Sequence, residues 1–359
     1  MRKILFTVLV ALGVTSQAQI IRKYSNEFLN IGAGARGLAM GGAVVSNQDD
    51  VYAPMWNPAG LLEVEGDWQA AAMHAEYFES IAKYDYIGFA KALDNDAVFG
   101  VSLVRLGVDN ILNTTQMIDA EGNIDYDKIS SFSTADYAAI LSYAFHPNGN
   151  HKLNLGINAK MVYRNVGKFA SGYGFGFDIG ATYLSDSGWK YGAMLRDATT
   201  TVNFWSINDK ELSTVVNGEE FNPAPEDKME ITMPKFNFGA SKKFEINRDL
   251  TLIPEAGINV DFAKTAALIS TDFASITPYA GAELVFQDMI FVRLGFNRFQ
   301  TITDLEDLKR KMSFQPSGGI GIKYKSLTLD YAITNSGVGG SNFYSNFFSL
   351  KFDMNRYRN

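Results

Sequence analysis

Residues 152–164 read KLNLGINAKMVYR, in which Leu153, Leu155, Ile157, Ala159, Met161 and Tyr163 alternate with Lys152, Asn154, Gly156, Asn158, Lys160 and Val162. A period of two specifies a strand with one apolar and one wet face. The same alternation runs through YGFGFDIGATY, where Tyr173, Phe175, Phe177, Ile179, Ala181 and Tyr183 oppose Gly174, Gly176, Asp178, Gly180 and Thr182. Marking every such stretch predicts strands at 67–78, 81–92, 96–108, 133–146, 150–165, 172–185, 188–198, 231–244, 249–263, 276–287, 289–299, 314–324, 325–335 and 343–354. Most exceed the five or six residues usual in soluble sheets, and suit tilted strands that need about 9–11 residues to cross hydrocarbon.

The connections sort by parity. After even-numbered strands they are tight and rich in turn residues: Asp94-Asn95, Pro147-Asn148-Gly149, Asp186-Ser187, Asn247-Arg248, Asp288 and Lys325-Ser326. After odd-numbered strands most are long, notably Asp109 to Phe132, Thr199 to Glu230, Lys264 to Ala274 and Gln300 to Ser313. Short turns at one end and long loops at the other describe an outer-membrane barrel, since an open sheet edge in lipid would leave backbone groups unpaired. A soluble β-sandwich also alternates, but it does not sort its loops by parity. The expected fold is all-β, a fourteen-stranded antiparallel transmembrane barrel over 67–354, with outer-membrane lipid against its apolar face and a short tail at 355–359. Aromatic residues near strand ends, among them Trp68, Tyr77, Tyr143, Tyr183, Trp189 and Tyr191, fit interfacial girdles.

Residues 1–19 are read as a secretory signal peptide: Arg2 and Lys3 lead into the apolar run Ile4 to Val14, which is too short to span a bilayer. The sequence contains no cysteine, so disulfides, thiol nucleophiles and a lipidated cysteine are excluded. A net charge of −7 with dispersed charges excludes a nucleic-acid partner.

Between signal and barrel lies LNIGAGARGLAMGGA, residues 29–43, with a literal G-x-G-x-x-G at Gly32, Gly34 and Gly37. A dinucleotide fingerprint requires a following βαβ unit, and the chain has none. Residues 20–66 instead carry Ile31, Leu38, Met40, Val44, Val51, Tyr52, Met55, Trp56 and Leu61, too much apolar surface to stay solvated. They are expected to form a plug in the lumen, with glycines of the segment meeting inward glycines of the wall (Gly174, Gly176, Gly180, Gly257, Gly281, Gly295, Gly319, Gly321).

The stretches NIGAGARGLAMGGAVV and VYAPMWNPAGL resemble the N-terminal signature of the PorV/PorQ family of the Bacteroidetes type IX secretion system, itself similar to the FadL-type fatty-acid channels with fourteen strands and an N-terminal hatch. The matching residues are Gly34, Arg36, Gly37, Met40 and Gly41, then Trp56, Asn57, Pro58 and Ala59. Gly42 and Gly60 stand where PorV itself tends to carry an acidic residue and a lysine, so the chain looks like a paralogue. The resemblance implies a role in protein secretion, in which extracellular loops bind cargo, translocon or attachment partners without catalysis. The alternative from another class is FadL-like passage of a small hydrophobic compound such as a fatty acid, with such a molecule or a detergent in the barrel.

Arg36 stands alone among small residues and is expected to pair with an inward carboxylate: Asp178, Glu255, Asp261, Glu283 or Asp330. Together with Arg293, Lys323, Lys152, Lys160 and Lys351, these carboxylates form either a salt-bridge network filling the lumen or the lining of a conduction path. The turn Asn57-Pro58-Ala59-Gly60 is either a rigid cap or a moving hatch element. Phe204, Trp205 and Phe221 place apolar surface in the loop from Thr199 to Glu230, which suits partner binding or a lid. No cofactor is implied. His74, His146 and His151 lack metal-ligand spacing, and the acidic run Asp119 to Asp127 fits neither register of a calcium loop.

Overall fold

The computed structural model describes residues 25–93, 96–216, 218–223, 225, 228–303, 310–335 and 343–354. The signal-peptide reading, the Asp94-Asn95 turn and the tail at 355–359 lie outside them. Fourteen wall strands follow one another around a ring: Trp68–Tyr77, Ala82–Ala92, Ala97–Asn113, Ser130–Phe145, Leu153–Val166, Ala170–Leu184, Trp189–Arg196 continued by Thr201–Ile207, Met229–Thr232 continued by Lys235–Lys242, Leu250–Asp261, Ser275–Phe286, Ile290–Thr303, Arg310–Tyr324, Leu327–Asn335 and Tyr344–Met354. Each pairs antiparallel with its neighbours, and the last closes on the first from Trp68↔Met354 to Glu76↔Asn346. Closure removes both sheet edges, which is what a backbone in hydrocarbon requires.

The side chains are distributed inside out relative to a soluble protein. On strand six, Phe175, Phe177 and Ile179 point outward and are more than half exposed, while Asp178 is buried facing the lumen. Leu294, Ile320, Ile322, Leu329 and Phe348 repeat this pattern on other strands. Among the described residues no helix is long and apolar enough to cross a membrane. Charged pairs bound the apolar belt on the outer wall. Towards the long-loop end Asp85 binds His74 at 2.7 Å and Arg105 at 3.1 Å, and at the short-turn end Lys152 pairs with Asp186. Lys152 therefore sits at the rim, not in the lumen as the alternation suggested. Tyr77 also departs from the girdle reading: its ring turns inward, edge-on to Phe347 at 5.1 Å.

Three strands run past their expected ends, and each does so across an irregularity. Strand three shifts register between Val108 and Ile111, with Asn110 at φ 58°, and continues to Asn113. Strand eleven shifts between Asn297 and Gln300, with Arg298 at φ 50°. Strand seven breaks at residues 197–200, where Asp197 and Thr200 have φ of 51° and 59°, then resumes against the first half of strand six. Phe204 and Trp205 thus belong to the wall and not to a loop. Phe204 faces outward, whereas the Trp205 indole packs beneath the Arg164 guanidinium at 5.1 Å. Phe221 remains in the connection, exposed on a small hairpin formed by Thr214–Val216 and Glu219–Phe221.

Candidate functional site

Residues 25–66 lie inside the ring, threaded from the long-loop end to the short-turn end. Ser25 donates to Glu230 at 3.1 Å and Asn26 to Thr232 at 3.0 Å. At the other end Glu65 accepts from Lys323 at 2.6 Å, and Glu63 pairs with Lys190. Between these points short helical turns at Glu27–Ile31, Ala35–Ala39, Ala53–Met55 and Pro58–Glu63 fold around Trp56. The indole donates to the Ala33 carbonyl at 2.7 Å. The glycine motif wraps this ring system: a Cβ at Gly32 would sit 2.3 Å from the indole, one at Gly37 2.7 Å from it, and one at Gly34 2.8 Å from Tyr52. The spacing that reads as a nucleotide fingerprint is a socket for two aromatic rings.

The wall yields in the same way, though not at every expected position. A Cβ at Gly295 would fall 2.0 Å from the Met40 carbonyl carbon, one at Gly281 2.5 Å from the Met40 oxygen, one at Gly319 2.6 Å from Ala39 and one at Gly180 2.1 Å from Asn57. Gly156 and Gly192, which sequence reading had not selected, make equally close approaches to Ala59 and Val45. Gly174 and Gly176 instead make room for Asn203 and Thr201 of strand seven, Gly257 for Tyr279, and Gly321 for Asp330 and Arg293.

Arg36 finds its partner in Glu283, to which it donates at 2.9 and 3.0 Å, while its third nitrogen reaches Asp49 at 2.5 Å. Burial opposes the charge on Arg36, and the carboxylates of Asp49 and Glu283 offset that cost. Glu283 also accepts from Arg293 at 2.5 Å, and Arg293 continues to Asp330 at 2.6 Å. This chain of alternating charge leaves neither buried arginine without a carboxylate. Glu255 accepts from the Ser46 hydroxyl at 2.6 Å and its amide at 3.1 Å. Asp261 pairs with Lys235 at 3.3 Å, and Lys351 with Asp50 at 3.5 Å. Asp178 accepts from Lys160 at 2.7 Å and from the Asp197 amide at 2.8 Å, so it anchors the break in strand seven. Asn57 donates to the Val45 and Ala181 carbonyls at 2.8 and 3.0 Å and caps its own turn through the Ala59 amide. At Gly60 a Cβ would meet the Gln48 oxygen at 2.0 Å.

Above this packed segment, at the long-loop end, lies a cavity of about 570 Å³. Tyr77, Leu106 and Val108 of strands one and three, with Phe78 and Ile81 of the turn between strands one and two, line one side, and Lys235, Asn237, Asn259, Asp261, Thr277 and Asn297 of strands eight to eleven line the other. Ile31, Leu38, Val45 and Trp56 form part of its floor. The Oδ1 atoms of Asn237 and Asn297 are buried without hydrogen-bond partners among the described residues. The buried Arg196 guanidinium also borders the cavity, held by the Leu29 and Met55 carbonyls at 2.8 and 2.6 Å. Sequence reading missed this half-apolar chamber. Its signal was available: Leu106 and Val108 are apolar on the inward phase of strand three, where most strands place polar residues or glycine.

No family model matches the chain, and no curated protein matches it. Solved structures do. The CymD monoaromatic hydrocarbon channel superposes with a TM-score of 0.58 at 11% identity, covering 91% of this chain and 99% of that one. The toluene transporter TbuX of Ralstonia pickettii gives 0.56 at 14%, covering 90% and 98%. A FadL homologue of Pseudomonas aeruginosa gives 0.52 at 11%, covering 89% and 98%. At these identities the likeness concerns fold alone: the chain shares the closed antiparallel β-barrel fold of these channels.

Proposed function

We propose that the chain is an outer-membrane channel for a small, largely apolar compound, with residues 25–66 as a plug and the chamber above them as the entry site. The observation that carries this reading is the chamber's division into an apolar and a polar side. Apolar pockets with a few convergent polar groups are the usual form of small-molecule sites. The apolar wall takes the body of the compound, while the side lined by Lys235, Asn259, Asp261 and Thr277 meets any polar group on it. The structural neighbours, by name channels and transporters of toluene and related hydrocarbons, support the same reading. Its test is uptake of labelled toluene by cells with an intact lipopolysaccharide layer. Expression of the chain speeds uptake, and Leu106→Trp, which fills the apolar side, abolishes the gain.

A second reading, the type IX secretion role implied by the PorV/PorQ-like motif, is favoured by the exposed hairpin whose Val215 and Phe221 lie open at the long-loop end. Val215→Ser/Phe221→Ser then abolishes co-purification of a secretion component from native membranes, while an unchanged set of co-purifying proteins removes the hairpin from that role.

A further inference from the structure

The short-turn end of the barrel gathers a set of side chains that neither functional reading uses. His146 follows strand four, His151 precedes strand five, and Asp96 precedes strand three in the adjacent turn. Asp96 stands about fifty residues before the two histidines in the chain, yet one donor atom from each of the three lies within 4.8 Å of the others. The imidazole rings are 4.5 Å apart, edge to face, and His151 Nε2 lies 3.7 Å from Asp96 Oδ1.

The backbone beneath them is fixed. The His146 amide donates to the Asp96 carbonyl at 2.9 Å, tying the two turns together. Within the connection from His146 to His151, Asn150 and Leu153 amides donate to Pro147 and Asn150 carbonyls, each at 3.0 Å. His146 Nδ1 lies 3.5 Å from the Leu153 carbonyl, so the tautomer that donates there leaves Nε2 as a ligand atom. Metal-binding histidines are commonly oriented by such a bond.

We propose that Asp96, His146 and His151 form a binding site for a divalent transition metal ion of the zinc class. Two neutral imidazoles and one carboxylate are a borderline-soft donor set that suits Zn²⁺, Ni²⁺ or Cu²⁺ better than Mg²⁺ or Ca²⁺. Bonds of about 2.0–2.2 Å need donor atoms somewhat closer together than they stand, a change within reach of exposed side chains on a fixed backbone. Three protein ligands leave further positions open to water or to a donor from another molecule. The site faces away from the chamber and does not depend on what the chamber carries.

The test is titration of the untagged, detergent-purified protein with Zn²⁺, against His146→Asn/His151→Asn and Asp96→Asn variants. The chain has three histidines and no cysteine, so competing strong ligands are few. The expected result is one Zn²⁺ per chain, with affinity falling by about tenfold or more in each variant. A smaller loss in the double-histidine variant overturns the proposal. A second measurement needs no variant: Zn²⁺ shields His146 and His151 from carbethoxylation while His74 stays reactive. Equal modification of all three, with and without the ion, also overturns it.

Discussion

Arg36, in the segment inside the barrel, donates two hydrogen bonds to the Glu283 carboxylate on strand ten, at 2.9 and 3.0 Å. Glu283 is also bound by Arg293 at 2.5 Å. The two arginines share one carboxylate, and the asymmetry predicts unequal losses. Glu283→Ala removes the carboxylate that two buried guanidinium groups share, leaving Arg36 with Asp49 and Arg293 with Asp330 alone, and costs about 3–5 kcal/mol, the range for breaking a buried ion pair. Arg36→Met leaves Glu283 paired with Arg293 and costs less. Urea unfolding in detergent, with proteolysis of residues 25–66 as a second readout, should rank the variants in that order. Equal losses would mean that Arg36 carries the pairing alone.

Gly295 and Gly318 are a matched pair for asking whether close approach matters. A Cβ at Gly295 would be 2.0 Å from the Met40 backbone, whereas one at Gly318 meets Leu294 at an ordinary 3.5 Å. Gly295→Ala is expected to displace the inner segment and expose it to protease. Gly318→Ala should stay within about 0.5 kcal/mol of the parent, as benign surface changes do.

Trp56 fills the socket made by Gly32, Gly37 and Gly42. Trp56→Ala removes a buried ring and its bond to Ala33, for which a cost of about 3–5 kcal/mol is expected. Trp56→Phe keeps most of the volume and should recover more than half of the loss in the same unfolding measurement.

Much of this architecture is legible in the sequence because a barrel wall writes its two environments onto alternate residues. Phe175 and Asp178 declare lipid and lumen without tertiary information. The reading stops where the backbone leaves the period of two. The expected ends of strands three, seven and eleven, at 108, 198 and 299, fall at the irregularities marked by Asn110, Asp197, Thr200 and Arg298. Across the break in strand seven the inward phase moves from even residues, ending at Arg196, to odd ones, beginning at Thr201. A reader following one phase therefore takes Phe204 and Trp205 for loop. A bulge inserts residues into one strand of a pair and bends it, which no count of apolar residues announces. The lumen side chains were legible as a set, but not their partners. Glu283 and Glu255 are both inward carboxylates, and which one meets Arg36 depends on how the inner segment is threaded. Asp96, His146 and His151 are invisible as a cluster because two turns, not one motif, bring them together.

Uptake of labelled toluene by intact cells tests the central claim most directly, that the chamber between the N-terminal segment and the long loops admits an apolar compound. Cells expressing the chain are predicted to take it up faster than control cells, with Leu106→Trp and Val108→Trp returning the rate to that of the control while the barrel still folds. Uptake no faster than the control, or a gain that survives both fillings of the chamber, would contradict it.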